Sequence, residues 1–159
     1  VVVVSTYTFW ADSETPANTS NSNSNSNIAM GFAPIVTGSI AAIQFYKIST
    51  DTGTHVGTVW RETDQALLGS VTFSGESATG WQTATLSPPV AATGGQRYRV
   101  AVSRPAQPFA QISAFTGITV AGVMAMDNTA YYVLGSQTGY PSTSFAGTSF
   151  VVDVIFTVP

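Results

Sequence analysis

Short runs of Val, Ile, Thr, Tyr, Phe and Trp, broken at close intervals by Gly, Pro, Asn, Asp and Ser, extend through this 159-residue chain. Such runs favour strands, and the punctuating residues favour turns. The spacing has no room for helices alternating with strands, so it points to an all-β, antiparallel β-sandwich of jelly-roll type. About ten strands are expected, over residues 1–10, 28–32, 39–49, 56–62, 67–74, 81–86, 96–103, 119–124, 129–134 and 149–158. The sixth should stop at Ser87-Pro88-Pro89, because proline cannot donate to a ladder. In the seventh, Tyr98, Val100 and Val102 alternate with Arg97, Arg99 and Ala101, which places two arginines on one exposed face. In the third, apolar residues fall on both sides, so both faces should be covered. Residues 113–125 can also be read as a short helix. The length fits one domain over residues 1–159, with residues 1–6 available as an N-terminal interaction strand.

Composition sharpens the class of partner. Lys and Arg number 5 and Asp and Glu 8, so charged residues make up 8% of the chain and the net charge is −3. Five basic residues cannot neutralise a row of phosphates, which excludes nucleic acid and anionic membrane surfaces as expected partners. No apolar run reaches the roughly 20 residues of a membrane-spanning helix. Hydration falls instead to 22 Thr and 18 Ser. With no cysteine there are no disulfides and no thiolate chemistry. The chain begins at Val1 rather than Met, which fits an extracellular or cell-surface protein after signal-peptide removal.

Candidate chemistry is sparse. His55 is the only histidine, in Thr52-Gly53-Thr54-His55-Val56-Gly57, and one imidazole without further partners makes neither a triad nor a zinc site. Asp12 with Glu14, and Glu62 with Asp64, offer oxygen ligands for a structural calcium ion, but each pair sits equally well in a turn or solvated hairpin. No G-x-S-x-G elbow, P-loop or dinucleotide fingerprint occurs. The expectation is a non-enzyme without a cofactor. Asn18-Thr19-Ser20 matches a glycosylation acceptor, which matters only in a host that uses it.

Three features bear on binding. Tyr131, Tyr132 and Tyr140 lie beside Gly and Pro, where rings could stack on the C–H face of a sugar; equally, one of two adjacent tyrosines on a strand points inward. Trp10, Trp60 and Trp81 lie in strand patterns and read as core. Residues 18–27, NTSNSNSNSN, contain nothing that anchors a core and read as a loop organised by Asx and Ser turns. Val1, Val2, Val3 and Val4 form an uncharged, β-branched start suited to pairing with the sheet edge of another copy, or to forming an edge of their own domain.

Phe9-Trp10-Ala11-Asp12-Ser13-Glu14-Thr15-Pro16, Ile43-Gln44-Phe45-Tyr46-Lys47 followed by Thr52-Gly53-Thr54-His55-Val56-Gly57-Thr58-Val59-Trp60, Gly80-Trp81-Gln82, Tyr140-Pro141 and Val152-Asp153-Val154-Ile155-Phe156 together resemble the bacterial extracellular module catalogued as domain of unknown function 4082. The resemblance spans nearly the whole chain. It implies a β-sandwich found within large secreted proteins, with no catalytic residues to transfer, and it makes His55 and Lys47 fold determinants of a hairpin. Departures are the Asn-Ser run and Val151, where the family pattern suggests a larger aromatic. Two functions follow as expectations: a secreted structural subunit that self-assembles into a filament or sheath through its N-terminal strand, with copies of itself as partner, or a glycan-binding, adhesive module with polysaccharide as partner.

Overall fold

The computed structural model describes residues 3–159 and contains strands but no helix among them. There are fourteen strands: β1 (Ser5–Tyr7), β2 (Asn18–Thr19), β3 (Ser26–Pro34), β4 (Gly38–Lys47), β5 (Val56–Arg61), β6 (Leu67–Thr72), β7 (Gly80–Ala92), β8 (Tyr98–Arg104), β9 (Ala110–Ser113), β10 (Ile118–Val120), β11 (Met124–Leu134), β12 (Thr143–Ala146), β13 (Thr148–Ser149) and β14 (Val152–Val158). The count exceeds ten because segments outside the expected runs make short bridges of their own, β2, β9, β12 and β13. Residues 113–125 are therefore strand and turn, not helix.

Two sheets face each other, in the orders β1-β14-β4-β7 and β10-β11-β3-β8-β5-β6, with β12 also pairing β11. All the pairings are antiparallel. Number β1, β3, β4, β5, β6, β7, β8 and β14 from first to eighth, and the sheets read 1-8-3-6 and 2-7-4-5. That is the order of two interlocked Greek keys, a jelly roll. The remaining strands lie mostly in the excursion between β8 and β14, which adds β11 beside β3 and a small third sheet, β13-β9-β2. The core fills the space between the two large sheets, where Met30, Phe32, Val100 and Val102 meet Ile43, Phe45, Val154 and Phe156.

Three expectations change. The first strand spans only Ser5–Tyr7 rather than residues 1–10: Val1 and Val2 lie outside the described residues, while Val3 and Val4 precede β1 and are exposed. Phe9 and Trp10 leave the ladder because their backbone N–H groups donate to the buried Asp153 carboxylate, each at 3.1 Å. β7 does not stop at Pro88 and Pro89. It is an edge strand, and the prolines fall where its register against β4 shifts between Ile40 and Ala42, so no ladder donor is missed. β8 alternates as expected, yet its outward side is covered too, and Arg99 is 7% exposed.

Candidate functional site

Successive side chains of a strand take opposite faces, so Tyr131 and Tyr132 part company on β11. Tyr131 joins Ala29, Ala101 and Trp60 on the outer face of the larger sheet, and Tyr140 packs against this group from the loop after β11. Arg99 threads between the two rings, its guanidinium 3.7 Å from the Tyr131 centroid and 4.6 Å from that of Tyr140. It also donates to the Pro141 carbonyl and, at 3.0 Å, to Glu62. Asn27 donates to the Gly139 carbonyl at 2.9 Å, and Trp60 meets Tyr140 edge to face at 5.7 Å. These contacts fasten the loop over the sheet. They explain why β8 is buried on both sides.

The cost is access. One face of each tyrosine is given to the guanidinium, and Tyr131 is buried. Burial first, then the Asp127 and Glu62 charges, push the Tyr131 hydroxyl above its ordinary pKa; burial likewise raises that of Tyr140. At the rim, Arg97 donates to Glu62 at 2.9 Å and to Asp127. Burial would lower its pKa, but the two carboxylates outweigh it and raise it. Glu62 is thus committed to two arginines. Asp64 is held by Arg61, whose hydrogen bonds take it down to about 2. Asp12 and Glu14 are exposed. Among the described residues, no three carboxylate or histidine side chains gather as metal ligands.

Tyr132 points the other way and lines a groove of about 260 Å³ with Leu134, Phe145, Phe150, Phe109, Ile28, Gln111, Ser20, Ser22 and Ser26. Its architecture comes from the long excursion. β11 and β12 carry Tyr132, Leu134 and Phe145 on one wall; β9 and the residue before it supply Gln111 and Phe109 on the other, and β3 provides the floor. Phe145 stacks on Phe150 at 6.2 Å and 15°, yet remains 48% exposed. The Asn-Ser run closes the groove. Ser20 and Ser22 turn inward to half-burial while Asn21 and Asn23 face solvent, and Ser20 N donates to the Phe109 carbonyl at 2.8 Å.

The run is therefore more than a loop: Asn18 and Thr19 form β2, and Ser26 and Asn27 begin β3, fully buried. Ser26 is 2% exposed, and its Oγ has no hydrogen-bond partner among the described residues. Residue spacing alone did not single out Phe109, Phe145, Phe150 or the three serines. The regular Asn/Ser alternation was the available signal, since a period of two places one residue type on one side of an extended segment.

His55 is also more than a hairpin residue. It is fully buried, with Nε2 3.0 Å from Asp51 and Nδ1 2.9 Å from Glu76. Lys47 pairs with Glu76 at 2.8 Å, and Arg104 pairs with Asp51. Each ring nitrogen thus faces a carboxylate. The four pairs join Lys47, Glu76, His55, Asp51 and Arg104 in one chain of contacts, the geometry of an internal ionic lock. Trp10 is core as expected; Trp60 belongs to the outer-face group, and Trp81 lies half-buried against Trp10 and Tyr46.

No curated protein sequence matches the chain. Among solved structures, a clostridial cysteine protease after propeptide cleavage superposes with a TM-score of 0.53 at 8% identity, covering 98% of this chain and 40% of that one. The chain thus spans about 40% of that protein's length, and the likeness is one of fold. A family 3a carbohydrate-binding module from the scaffolding protein of Clostridium thermocellum gives 0.33 at 10% identity, covering 91% and 98%, too distant to bear on function. The family model described as Domain of unknown function (DUF4082) matches residues 13–152, and the chain belongs to that family.

Proposed function

We propose that this protein is a non-catalytic, extracellular binding module that takes a carbohydrate in the groove between β9, β11 and β12. The supporting observation is the combination of an aromatic wall, exposed Phe145 stacked on buried Phe150 beside half-buried Tyr132, with inward-facing serines and a buried Ser26 hydroxyl that has no partner among the described residues. Sugar rings present C–H faces to aromatic side chains and hydroxyls to polar rims. An uncharged Thr/Ser surface suits a neutral polymer as partner, and the scarcity of unpaired acids leaves little for acid–base catalysis. A glycan array tests this. The unaltered protein should bind, Phe145→Ala and Tyr132→Ala should lose binding, and Tyr140→Ala should keep it. An array on which the unaltered protein binds nothing would sink the reading.

A second reading, self-assembly by strand addition, is favoured by one feature. β1 is an edge strand of three residues, preceded by Val3 and Val4, which are 75% and 57% exposed. An apolar stretch beside an unpaired edge is a template for another chain. Negative-stain microscopy should then show polymers that vanish when residues 1–4 are removed. Monodisperse particles from both proteins would end this reading.

A further inference from the structure

Building on the carbohydrate reading of the groove, we infer that its ligand is an N-acetylated sugar, with the acetamido group seated at the inner end against Ser26. The inner end is made by Ile28, Phe109 and Phe150, all buried and apolar, and Ser26 Oγ is the buried hydroxyl among them. A plain hexose carries hydroxyls around its ring. Pushed into this end, it would leave several of them without partners, and an unpaired buried hydroxyl opposes binding. An acetamido group divides as the pocket does. Its methyl replaces water on the three apolar side chains, and its amide meets one hydroxyl able both to donate and to accept.

The surroundings of Ser26 support the same orientation. Ser26 lies directly across the β3–β8 ladder from Arg104, whose guanidinium is 5.1 Å from the Phe109 ring. Arg104 pairs with Asp51 through Nη1, while its Nε and Nη2 have no hydrogen-bond partner. Burial lowers its pKa to about 10, still charged at neutral pH. Asp51 balances its charge, so what Arg104 offers behind the inner end is the dipoles of its unpartnered Nε–H and Nη2–H groups, which suit the oxygen of a neutral amide carbonyl. A carboxylate there would lose its hydration to apolar walls, because Arg104 is not among the lining residues. Towards the mouth, Tyr132 and Phe145 can cover a ring face, with Ser20, Ser22 and Gln111 left for the ring hydroxyls.

Chitotetraose and cellotetraose share one backbone linkage and differ at the acetamido group, so titrating both by calorimetry, with tetragalacturonate as an acidic comparison, tests the inference. Chitotetraose should bind at least about tenfold more tightly than cellotetraose, the discrimination expected of one filled methyl site plus one hydrogen bond. Ser26→Ala should narrow that ratio by weakening chitotetraose alone, its fold checked by circular dichroism. Equal affinity for chitotetraose and cellotetraose, or a preference for the galacturonate, would overturn the acetamido assignment and leave the carbohydrate reading standing. Failure of all three, together with an empty array, would remove both. An unchanged ratio in Ser26→Ala would overturn the role given to that hydroxyl.

Discussion

Gly31 lies at the crossing point of the outer-face cluster. A Cβ there would stand 2.8 Å from Tyr131 Cε2 and 3.1 Å from Arg97 Nη2. Gly31→Ala must therefore displace a ring or an ion pair, and we expect it to cost about 1–3 kcal/mol in urea unfolding. Asp153 makes a second residue-scale prediction. Burial pushes its pKa up to about 7, against the opposing pull of the Phe9, Trp10 and Val154 N–H groups. Unfolded, it should titrate near 3.9. Below about pH 4 both states are protonated; between pH 4 and 7 the folded state alone retains the proton; above 7 neither does. Its contribution to stability is thus present in acid and declines as pH rises to 7, by up to about 1.4 kcal/mol per unit. Asp153→Asn should remove that slope from a pH series of thermal melts. An unchanged slope would mean that the carboxylate stays ionised among its three donors.

At the scale of elements, the loop after β11 is held by Arg99 more than by its own turns. Arg99→Ala removes a guanidinium from between two rings, takes one of the two arginines from Glu62 and leaves the Pro141 carbonyl without its donor, so hydrogen exchange over residues 135–142 should accelerate well before global unfolding. Global stability should fall by about 2–4 kcal/mol. The alternation of β8 was readable in the sequence, and so was the sharing of a face by Arg97 and Arg99. That the face is covered was not, because its lid comes from Tyr140 and Pro141, far along the chain. The groove was hidden for a related reason. Its walls are drawn from β2, β3, β9, β11 and β12, and pairings among such short strands leave too weak a periodicity to see. Tyr132 was recognisable as an aromatic of interest, but its direction required the register of β11.

For the molecule as a whole, the sparse charge takes on a different meaning once placed in space. Of the 13 Asp, Glu, Lys and Arg side chains, Lys47, Asp51, Arg99, Arg104 and Asp153 are buried. Lys47, Asp51 and His55 follow one another at four-residue spacing in one stretch, and Glu76 and Arg104, distant in sequence, join them in a single cluster. Spacing could offer the first three, but only the fold brings in the last two. Removing one partner leaves the others unpaired in a dry site, so Asp51→Ala should cost about 3–5 kcal/mol. Raising salt to 1 M should change the unfolding midpoint little, since buried pairs escape screening. The jelly-roll architecture, by contrast, was accessible from the strand pattern because seven of the eight strands that carry it run to six residues or more.

The pairing of β1 with β14 also settles how the module answers a pull. Ser5 stands opposite Val158, so the two ends of the described chain leave from the same end of one antiparallel ladder. Tension drawn between them opens that ladder like a zipper, one pair at a time, rather than shearing all its bonds together. Peeling passes through three pairs and then meets Phe9 and Trp10 held on Asp153. Under load, a short yielding tether thus comes before the core, and the carboxylate that fastens it is one that titrates near neutrality.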